Sequence, residues 1–399
     1  MSSGFKVSVI GLGKAGLPLA AVIADAGIEV IGVDVDKQRA EDINSGKNPI
    51  PEENGLSELI KKNHGKNLKA TSDPIAAAKE SNAHIVIVPL FIDESTKKPD
   101  FSIIEKAMEN VGKGLKKGDI VVLETTVPVK TTETLAKGIL EKNSKLKAGT
   151  DFYLAHSPER IMTGYSISRF REFPKLVGGI NSESTEKAFG LYKKFANPVK
   201  VSNAGTAELA KIAEGIYRDV NIALANELLK VSEKYGIDFW EMKEAARHQY
   251  CSILEPGNVG GHCIPVYPWF VLNEMEAPLI KEARKLNDGM AEYYVKKAIN
   301  IAGKGKKIGI VGLSYREGVK EKAYSRAFAV IRLLRDKGYE VYGIDAMYNE
   351  NEIKKEFGIE AIKDFNKMDS IILMNKNSEY IGKLKKMRNR VVDVKNTLK

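Results

Sequence analysis

Cysteine is scarce in this chain, because only Cys251 and Cys263 occur among its 399 residues. Two thiols are too few for a disulfide framework or a cysteine-rich metal site, so we expect no metal and a location in a reducing cytoplasm. A long apolar run is also missing. Lys14 and Gly16 interrupt the apolar N-terminal segment, and the run Ala15–Ala24 is too short to span a bilayer, so no membrane partner is expected.

Compact basic blocks are absent as well, although the formal net charge is +10. The lysines are spread along the chain beside acidic residues, without interleaved aromatics, so nucleic-acid binding is not expected. A diffuse positive field suits small anionic ligands such as nucleotides. The length predicts two or three domains, and the apolar and charged fractions of 43% and 29% are those of a globular protein.

The N-terminal segment carries a glycine signature for a dinucleotide. Lys6–Ile10 predicts a buried strand, Gly11-Leu-Gly13-Lys-Ala-Gly16 follows it, and Leu17–Ala26 predicts a helix. Glycines in this setting let a pyrophosphate approach the N-terminus of the helix. Asp34 ends the next predicted strand, Glu29–Val33. Its carboxylate is expected to accept hydrogen bonds from an adenosine ribose and to repel a 2′-phosphate, which favours NAD over NADP.

Strand and helix patterns then alternate, which predicts a parallel sheet covered by helices on both faces. The predicted strands and helices are Ile85–Val88, Asp119–Leu123 and Phe152–Leu154, and Asp73–Glu80, Ser102–Gly112 and Thr131–Glu141. Ligands of such sheets bind beyond the carboxyl ends of the strands. Thr126, Glu159 and Arg160 follow two of these strands and are therefore candidate site residues. A helix cap or a surface ion pair is the alternative for each.

A long helical pattern runs from Thr206 to about Tyr235, and a second one from about Leu279 to Ile301. The first is longer than one small domain requires, which favours a linker between lobes or the interface of a homodimer. Its apolar stripe is formed by residues at three- and four-residue steps, namely Leu209, Ile212, Ala213, Ile216, Val220, Ala223, Leu224, Leu228 and Val231. Lys211, Gly215 and Arg218 lie on the opposite face, where solvation of the two charges is the alternative to a binding role.

The last part of the chain repeats the first. Lys307–Leu313 and Gly338–Asp345 mirror the two N-terminal strands, so a second Rossmann-like unit is expected. Ser314 replaces the second glycine, which argues against a second dinucleotide, and Tyr315 and Arg316 are candidates for contacting a nucleotide. The predicted fold class is α/β, with two Rossmann-like parallel-sheet domains joined by a long central helix and a small all-helical domain. The predicted domains are 1–200, 201–302 and 303–399.

Cys263 occurs in a glycine-rich stretch rather than in an apolar helix or strand. Gly260 and Gly261 let the backbone turn tightly and approach a ligand. One interpretation is a reactive cysteine, because we expect such a turn beside His262 to expose and stabilise a thiolate. The alternative is a turn that happens to contain a thiol.

Six segments, taken in this order, resemble the UDP-glucose/GDP-mannose dehydrogenase family along essentially the whole chain. They are Gly11–Ala20, Thr125–Pro128, Ser157–Arg160, Ala207–Lys211, Arg218–Glu227 and Gly260–Ile264. The resemblance implies a four-electron oxidation of the alcohol at sugar C6 to a carboxylate, with two NAD reduced in turn. The last two segments look most like the branch that acts on UDP-N-acetylhexosamines, with UDP-N-acetyl-D-mannosamine as the leading substrate and UDP-glucose as the alternative.

The resemblance also implies roles for particular residues. Cys263 is the implied nucleophile, which adds to the intermediate aldehyde and then forms a thioester. Lys211 is implied as a proton donor or acceptor, or as the cation facing an oxyanion. Glu159 orients or activates the hydrolytic water, and Thr126 supports that water and the cofactor. The remaining matches are cofactor positions at Gly11, Gly13, Lys14, Ala15, Gly16, Asp34 and Arg39, and substrate positions at Glu159, Arg160, Ile161, Lys211, Arg218, His248, Gly260, Tyr315 and Arg316.

The chain also departs from the pattern of the family. The family's usual asparagine four residues after the lysine is Gly215, and its usual aspartate four residues after the cysteine is Tyr267. Further departures fall at Leu90, Phe91, Tyr250 and Ala323. They motivate a hypothesis of another class, a protein that binds NAD and a nucleotide sugar without turnover. The thiol, the lysine and the glutamate are all retained, so catalysis stays the leading interpretation.

Overall fold

The computed structural model describes residues 4–161 and 164–399. The chain forms two compact units, one ending at Ala213 and the other running from Glu214 to Lys399. The boundary lies within the longest described helix. The predicted division at residues 200 and 302 stays a prediction. In the two described ranges, no helix combines the length and apolar character needed to cross a membrane.

The first unit alternates strands and helices, as predicted. Its strands are β1 (Lys6–Ile10), β2 (Glu29–Val33), β3 (Leu68–Thr71), β4 (Ala83–Val86), β5 (Phe91–Ile92), β6 (Pro99–Asp100), β7 (Ile120–Leu123), β8 (Tyr153–His156), β9 (Lys175–Gly179) and β10 (Pro198–Lys200). Its helices are α1 (Gly16–Asp25), α2 (Lys37–Asn44), α3 (Leu56–Asn63), α4 (Pro74–Glu80), α5 (Ser102–Gly114), α6 (Lys137–Ser144), α7 (Ser166–Glu172) and α8 (Ser182–Tyr192). A π-helical turn, Thr132–Ala136, leads into α6.

Eight of these strands form one sheet in the order β10-β9-β8-β7-β4-β1-β2-β3. Alternate residues of β1 enter two separate apolar clusters, with Val7 and Val9 in one and Ile10 in the other. The sheet is therefore covered on both faces, which confirms the predicted architecture. Its pairing is parallel except between β8 and β9, where Ala155 opposes Gly179 in antiparallel register. The sequence patterns did not predict this reversed edge.

The second unit begins within the long helix and contains the second sheet. Its elements are α9 (Ala204–Tyr235, shared with the first unit), α10 (Phe239–Ala245), α11 (Tyr267–Leu272), α12 (Pro278–Ala302), β11 (Lys307–Val311), α13 (Ala327–Asp336), β12 (Glu340–Ile344), α14 (Glu350–Phe357), β13 (Glu360–Ala361), β14 (Ser370–Leu373), α15 (Ser378–Lys385) and β15 (Val391–Asp393). The sheet has the order β13-β12-β11-β14-β15 and is parallel throughout. A second Rossmann-like unit, preceded by a helical segment, is thereby confirmed.

The buried face of α9 differs from the prediction. Leu209, Leu224 and Val231, which the apolar pattern placed in the buried stripe, are 49%, 49% and 45% exposed. Gly215, which the pattern placed on the polar face, is buried. The periodicity of one helix shows which residues share a face, but the neighbouring elements decide which face is covered.

Candidate active site

The glycine turn after β1 has the geometry of a dinucleotide cradle. Gly11 has a φ of +99°, and a Cβ there would lie 2.7 Å from the carbonyl oxygen of Ile87. A Cβ at Gly16 would overlap the carbonyl of Gly11. At Gly13, in contrast, a Cβ would meet nothing within 4 Å, so packing does not explain this glycine. Open space at Gly13, just before Ala15 and the start of α1, fits a ligand that approaches the backbone closely.

Asp34 follows β2 and links the turn to the adenosine side of the predicted cofactor site. Its carboxylate accepts hydrogen bonds from the backbone N–H of Leu12 at 3.0 Å and from Arg39 Nη1 at 3.2 Å. Lys14 Nζ lies 3.7 Å from a carboxylate oxygen of Glu52, a residue that the sequence analysis did not single out. The structure thus places the glycine turn, Asp34 and Arg39 in contact after β1 and β2, and their chemistry fits NAD.

The other candidates of the first unit follow β7 and β8, as predicted. Thr126 comes three residues after the end of β7 and Glu159 three residues after the end of β8. The backbone N–H of Glu159 donates to the carbonyl of Glu124 at 3.4 Å, and its carboxylate accepts from the N–H of Ile161. Arg160 Nη1 donates to the carbonyl of Pro174 at 3.0 Å. The catalytic and substrate-binding roles of these residues stay predictions.

A buried ion pair that no sequence pattern indicated supports the loop around Glu159. Lys175 Nζ lies 2.5 Å from a carboxylate oxygen of Glu124 and donates at 3.3 Å to the carbonyl of Pro158, next to Glu159. Tyr192 donates its hydroxyl proton to the same carboxylate. Lys175 is 5% exposed, and Glu124 and Tyr192 are fully buried. The pair therefore joins the end of β7 to the backbone just before Glu159.

Burial and nearby charges shift the pKa values of two side chains close to this pair, His156 and Tyr192, so that both favour their neutral forms. Burial lowers the pKa of His156 to about 3, and the charge of Lys175 adds to the shift. Burial and the charge of Glu124 raise the pKa of Tyr192 well above its ordinary value. His156 and Tyr192 are thus uncharged at neutral pH.

A second buried carboxylate holds the segment from Gly164 to Ser166. Glu53 is 2% exposed and accepts hydrogen bonds from the N–H groups of Gly164 and Ser166, at 2.7 and 2.6 Å. The Ser166 hydroxyl donates to it at 2.8 Å. Because the partners lie more than 100 residues apart, no local pattern indicates this anchor.

Glu208 connects α9 to the segment that follows Thr126. Its fully buried carboxylate accepts from the N–H groups of Lys130 and Thr132, at 2.6 and 2.9 Å, and from the Thr132 hydroxyl at 2.6 Å. Lys211 lies one helical turn further along α9 and is half-buried. Burial is the largest influence on Glu208 and raises its pKa to about 7, despite these three donors.

Glu208 should therefore make stability depend on pH. Its folded-state pKa lies above the ordinary value of 4.5, so the resulting stabilisation is complete below pH 4.5 and is lost as the pH rises through about 7. A shift of this size corresponds to about 3 kcal/mol. We expect the free energy of unfolding to fall over that window and Glu208→Gln to remove this component. Urea unfolding at several pH values measures this free energy, and Glu186→Gln, which changes an exposed carboxylate, is the control variant. The same pH dependence of the free energy of unfolding in the wild type and in Glu208→Gln would contradict the prediction.

In the second unit, the thiol of Cys263 is exposed, and its backbone is well anchored. The carbonyl of Cys263 accepts hydrogen bonds from the N–H groups of Val266 and Tyr267, at 3.1 and 3.0 Å. Gly261 has a φ of +94°, which a side chain rarely tolerates. A glycine turn that presents a thiol to solvent agrees with the predicted geometry, while the role of the sulfur stays a prediction.

The loop after β11 packs directly against this turn. The N–H of Gly261 donates to the carbonyl of Tyr324 at 3.1 Å, and a Cβ at Gly261 would lie 2.8 Å from the ring of Tyr315. At Gly260, an added Cβ would lie equally close to the Tyr324 carbonyl. Tyr324 itself has a φ of 53°, in the left-handed region. Arg316 Nε lies 3.2 Å from the Tyr315 hydroxyl, so both predicted nucleotide contacts adjoin the cysteine turn.

A buried polar network supports the backbone before this turn. Asn226 on α9 exchanges two hydrogen bonds with Gly257, at 3.0 and 2.7 Å, and donates to Asn287 on α12 at 2.9 Å. Asn287 donates to the Asp219 carboxylate at 2.8 Å, and Arg284 forms an ion pair with that carboxylate. The sequence patterns placed Asp219 and Asn226 in a segment that matches the family, and Arg284 and Asn287 in the second predicted helix, but they indicated no contact among these residues. An asparagine that faces buried partners is not distinguishable by sequence from a solvated one.

Two further substrate candidates lie elsewhere in the second unit. Arg218 is exposed on α9. His248 exchanges backbone hydrogen bonds with Cys251, at 3.1 and 2.9 Å, and its Nδ1 accepts from the N–H of Tyr250. The candidates Thr126, Glu159, Arg160 and Lys211 thus belong to the first unit, and the candidates around Cys263 belong to the second.

Three domains of one known protein family together match nearly the whole chain. Residues 5–196 match the NAD binding domain of the UDP-glucose/GDP-mannose dehydrogenase family, residues 205–289 match its central domain, and residues 309–399 match its UDP binding domain. The chain belongs to this family. It is therefore an oxidoreductase that uses NAD, and the glycine turn and Asp34 lie within the matched NAD binding domain.

Individual relatives agree with the family assignment. The chain is 36% identical to the UDP-N-acetyl-D-mannosamine dehydrogenase of Methanococcus aeolicus, over 98% of this chain and 91% of that protein. It is 36% identical to the NDP-N-acetyl-D-galactosaminuronic acid dehydrogenase of Ralstonia nicotianae, over 82% of this chain and 79% of that protein. The solved structure of the UDP-D-ManNAc dehydrogenase from Pyrococcus horikoshii matches with a TM-score of 0.89 and 30% identity, covering 99% and 96% of the two chains.

Proposed function

We propose that this enzyme oxidises the C6 hydroxyl of UDP-N-acetyl-D-mannosamine to the uronate in a four-electron reaction. The exposed thiol of Cys263 on its anchored glycine turn is the observation that carries the proposal. The names of the relatives from Methanococcus, Ralstonia and Pyrococcus all contain an N-acetylated hexosamine. They favour an N-acetylated sugar over UDP-glucose, which is the alternative substrate.

The proposed chemistry divides one difficult oxidation into easier steps. NAD, when bound, accepts a hydride in each of the two oxidations. In the first, the C6 alcohol loses a hydride and a proton and becomes an aldehyde. The Cys263 sulfur then bonds to the aldehyde carbon, and loss of the second hydride from the thiohemiacetal leaves a thioester. Water adds to the thioester carbon, the carbon–sulfur bond breaks, and the sulfur is released as the thiol with the uronate.

The proposed roles of other residues follow from their chemistry. Lys211 exchanges the hydroxyl proton or faces the oxyanion of the thiohemiacetal, as a cation on a rigid helix is suited to do. Glu159 orients or activates the hydrolytic water, and Thr126 supports that water and the cofactor. The Lys175–Glu124 pair supports the proposal for Glu159, because it fixes the backbone immediately before that residue. We propose Arg160, Ile161, Arg218, His248, Gly260, Tyr315 and Arg316 as substrate contacts.

The yield of NADH tests the proposed reaction. Purified enzyme is mixed with NAD and each of several UDP-sugars, and NADH and sugar products are quantified. Two NADH for each UDP-N-acetyl-D-mannosamine consumed, with the uronate as product, supports the proposal. One NADH with release of the aldehyde would indicate a two-electron alcohol dehydrogenase. Binding of both ligands without NADH formation would favour the non-catalytic interpretation that Gly215 and Tyr267 motivate.

We further propose a homodimer that assembles through α9, in the cytoplasm. Exposed apolar side chains form one stripe along this helix, because Tyr217, Leu224, Val231 and Tyr235 lie at spacings of seven and four residues. Their exposed fractions are between 45% and 69%. A contiguous apolar stripe of this kind is typical of an interface. Two free cysteines support a reducing compartment, and participation in polysaccharide biosynthesis follows from the proposed uronate product.

Leu224→Glu should weaken this dimer. A carboxylate in the middle of an apolar interface must be desolvated without a partner, so we expect the dissociation constant to rise at least about tenfold. Sedimentation velocity over a range of protein concentrations measures it. The control is Leu279→Glu, on α12, where an equally apolar residue is 70% exposed outside the stripe. An unchanged dissociation constant for Leu224→Glu, or a monomeric wild type, would contradict the proposed interface.

A further inference from the structure

Two of the positions at which the chain departs from the family pattern are in direct contact. The ring of Tyr267 packs on the backbone of Gly215 so closely that a Cβ at Gly215 would overlap the ring. The same Cβ would lie 3.2 Å from Cγ and 3.3 Å from Cβ of Tyr267, and a rotation of the ring about its own axis would leave these two close contacts in place. Both residues are buried, with Tyr267 only 7% exposed. A side chain at residue 215 therefore requires the aromatic ring of residue 267 to shift.

Tyr267 is also tied to the cysteine. Its backbone N–H donates to the carbonyl of Cys263 at 3.0 Å, so the first turn of α11 and the cysteine turn share a hydrogen bond. Its ring stacks on Phe270 of the same helix, with the centroids 5.8 Å apart. Phe270 is itself 3% exposed. The ring thus lies between Gly215 and Phe270, and the backbone of the same residue is hydrogen-bonded to Cys263.

We propose that Gly215 and Tyr267 form an interlocked pair that positions Cys263 against α9. The missing side chain at Gly215 provides the space for the ring, and the ring in turn sets the distance between α9 and the cysteine turn. Gly215 in place of the usual asparagine and Tyr267 in place of the usual aspartate are then one coupled exchange rather than two independent losses. Because the pair acts through Cys263, this inference rests on the proposed function of that thiol, and both members are positioning residues.

A double-mutant cycle tests the coupling. Gly215→Ala is expected to lower kcat/KM for the UDP-sugar at least tenfold and to change the rate of Cys263 alkylation by iodoacetamide at least fivefold. In a Tyr267→Ala background, the added methyl group has no ring to meet, and the same change is expected to alter either rate less than twofold. Mass spectrometry follows the two cysteines separately, so that Cys251 is an internal reference whose alkylation rate stays constant. If Tyr267→Ala does not yield folded protein, Tyr267→Val, which also lacks the ring, replaces it.

Two controls separate this effect from general damage. Gly289→Ala places the same methyl group on α12, where nothing lies within 4 Å, and is expected to leave both rates within twofold of wild type. Tyr267→Phe keeps the ring, so Gly215→Ala should remain as damaging in that background as in the wild type. Equal effects of Gly215→Ala with and without the ring would overturn the inference.

The alkylation rate of Cys263 also tests the interlocked pair independently of the proposed function. Alkylation of Cys263 needs neither sugar nor NAD, so the cycle gives a result even if no UDP-sugar is oxidised. A coupled alkylation rate in an enzyme without turnover would retain the interlocked pair and reject the proposed function. Oxidation of a UDP-sugar by the wild type, without coupling between residues 215 and 267, would support the proposed function and reject the interlocked pair.

Discussion

Cys263→Ser is expected to abolish uronate formation, with a loss of at least about a thousandfold in the rate. A serine hydroxyl is a far weaker acid than a thiol, so little nucleophile is present at neutral pH, and the thioester cannot form. The turn itself should be retained, because its anchoring hydrogen bonds use the carbonyl of residue 263 rather than the side chain. Chromatographic measurement of the uronate, together with calorimetric binding of NAD and of the UDP-sugar, checks the prediction.

The other cysteine provides the matched control. Cys251 is half-buried and lies outside the glycine turn, and Cys251→Ser should produce uronate at a rate close to that of the wild type. A Cys263→Ser enzyme that still binds both ligands but makes no acid supports a covalent sulfur intermediate. Normal uronate production by this variant would exclude the thioester route.

Lys175→Met is expected to destabilise the protein by about 3–5 kcal/mol, since it removes one partner of a buried ion pair. The Glu124 carboxylate would stay fully buried without its cation, and the carbonyl of Pro158 would lose a donor. The backbone before Glu159 should then loosen, so we also expect a lower kcat. Urea unfolding and steady-state kinetics measure the two effects.

Two further variants make this prediction specific. Lys200→Met breaks an ion pair of similar length, 2.6 Å to Glu186, but both of its partners are largely exposed. Such surface pairs contribute about 0–1 kcal/mol, so a small effect is expected. Combining Lys175→Met with Glu124→Leu removes both charges and should recover part of the lost stability. A loss for Lys175→Met no larger than that for Lys200→Met would refute the assigned role.

The parts of the fold that could be predicted are those determined by neighbouring residues. The bounds of β1 and β2 agree with the prediction, because an apolar run ends in each case at a glycine or an acidic residue. Asp34 and Arg39, which are five residues apart, form a contact within this local unit. Short-range patterns of this kind are present in the sequence itself.

The supporting residues of the site could not be predicted, since their partners are distant in the chain. Glu124 and Lys175 are 51 residues apart, and Glu208 and Thr132 are 76 apart. A lysine in a strand is normally solvated, and no local feature marks Lys175 as buried. The same limitation explains the contact between Gly215 and Tyr267. Sequence alone presented them as two separate departures, and only the tertiary packing shows that they touch.

The reversed edge of the first sheet limits how the protein can associate. The sheet ends at β10, a strand of three residues that begins with Pro198 and ends with Lys200. Proline offers no N–H to an added strand, and a charged lysine disfavours stacking of another chain at the edge. This edge therefore resists amyloid-like growth and strand exchange. Extension of the first unit's sheet beyond β10 is therefore disfavoured.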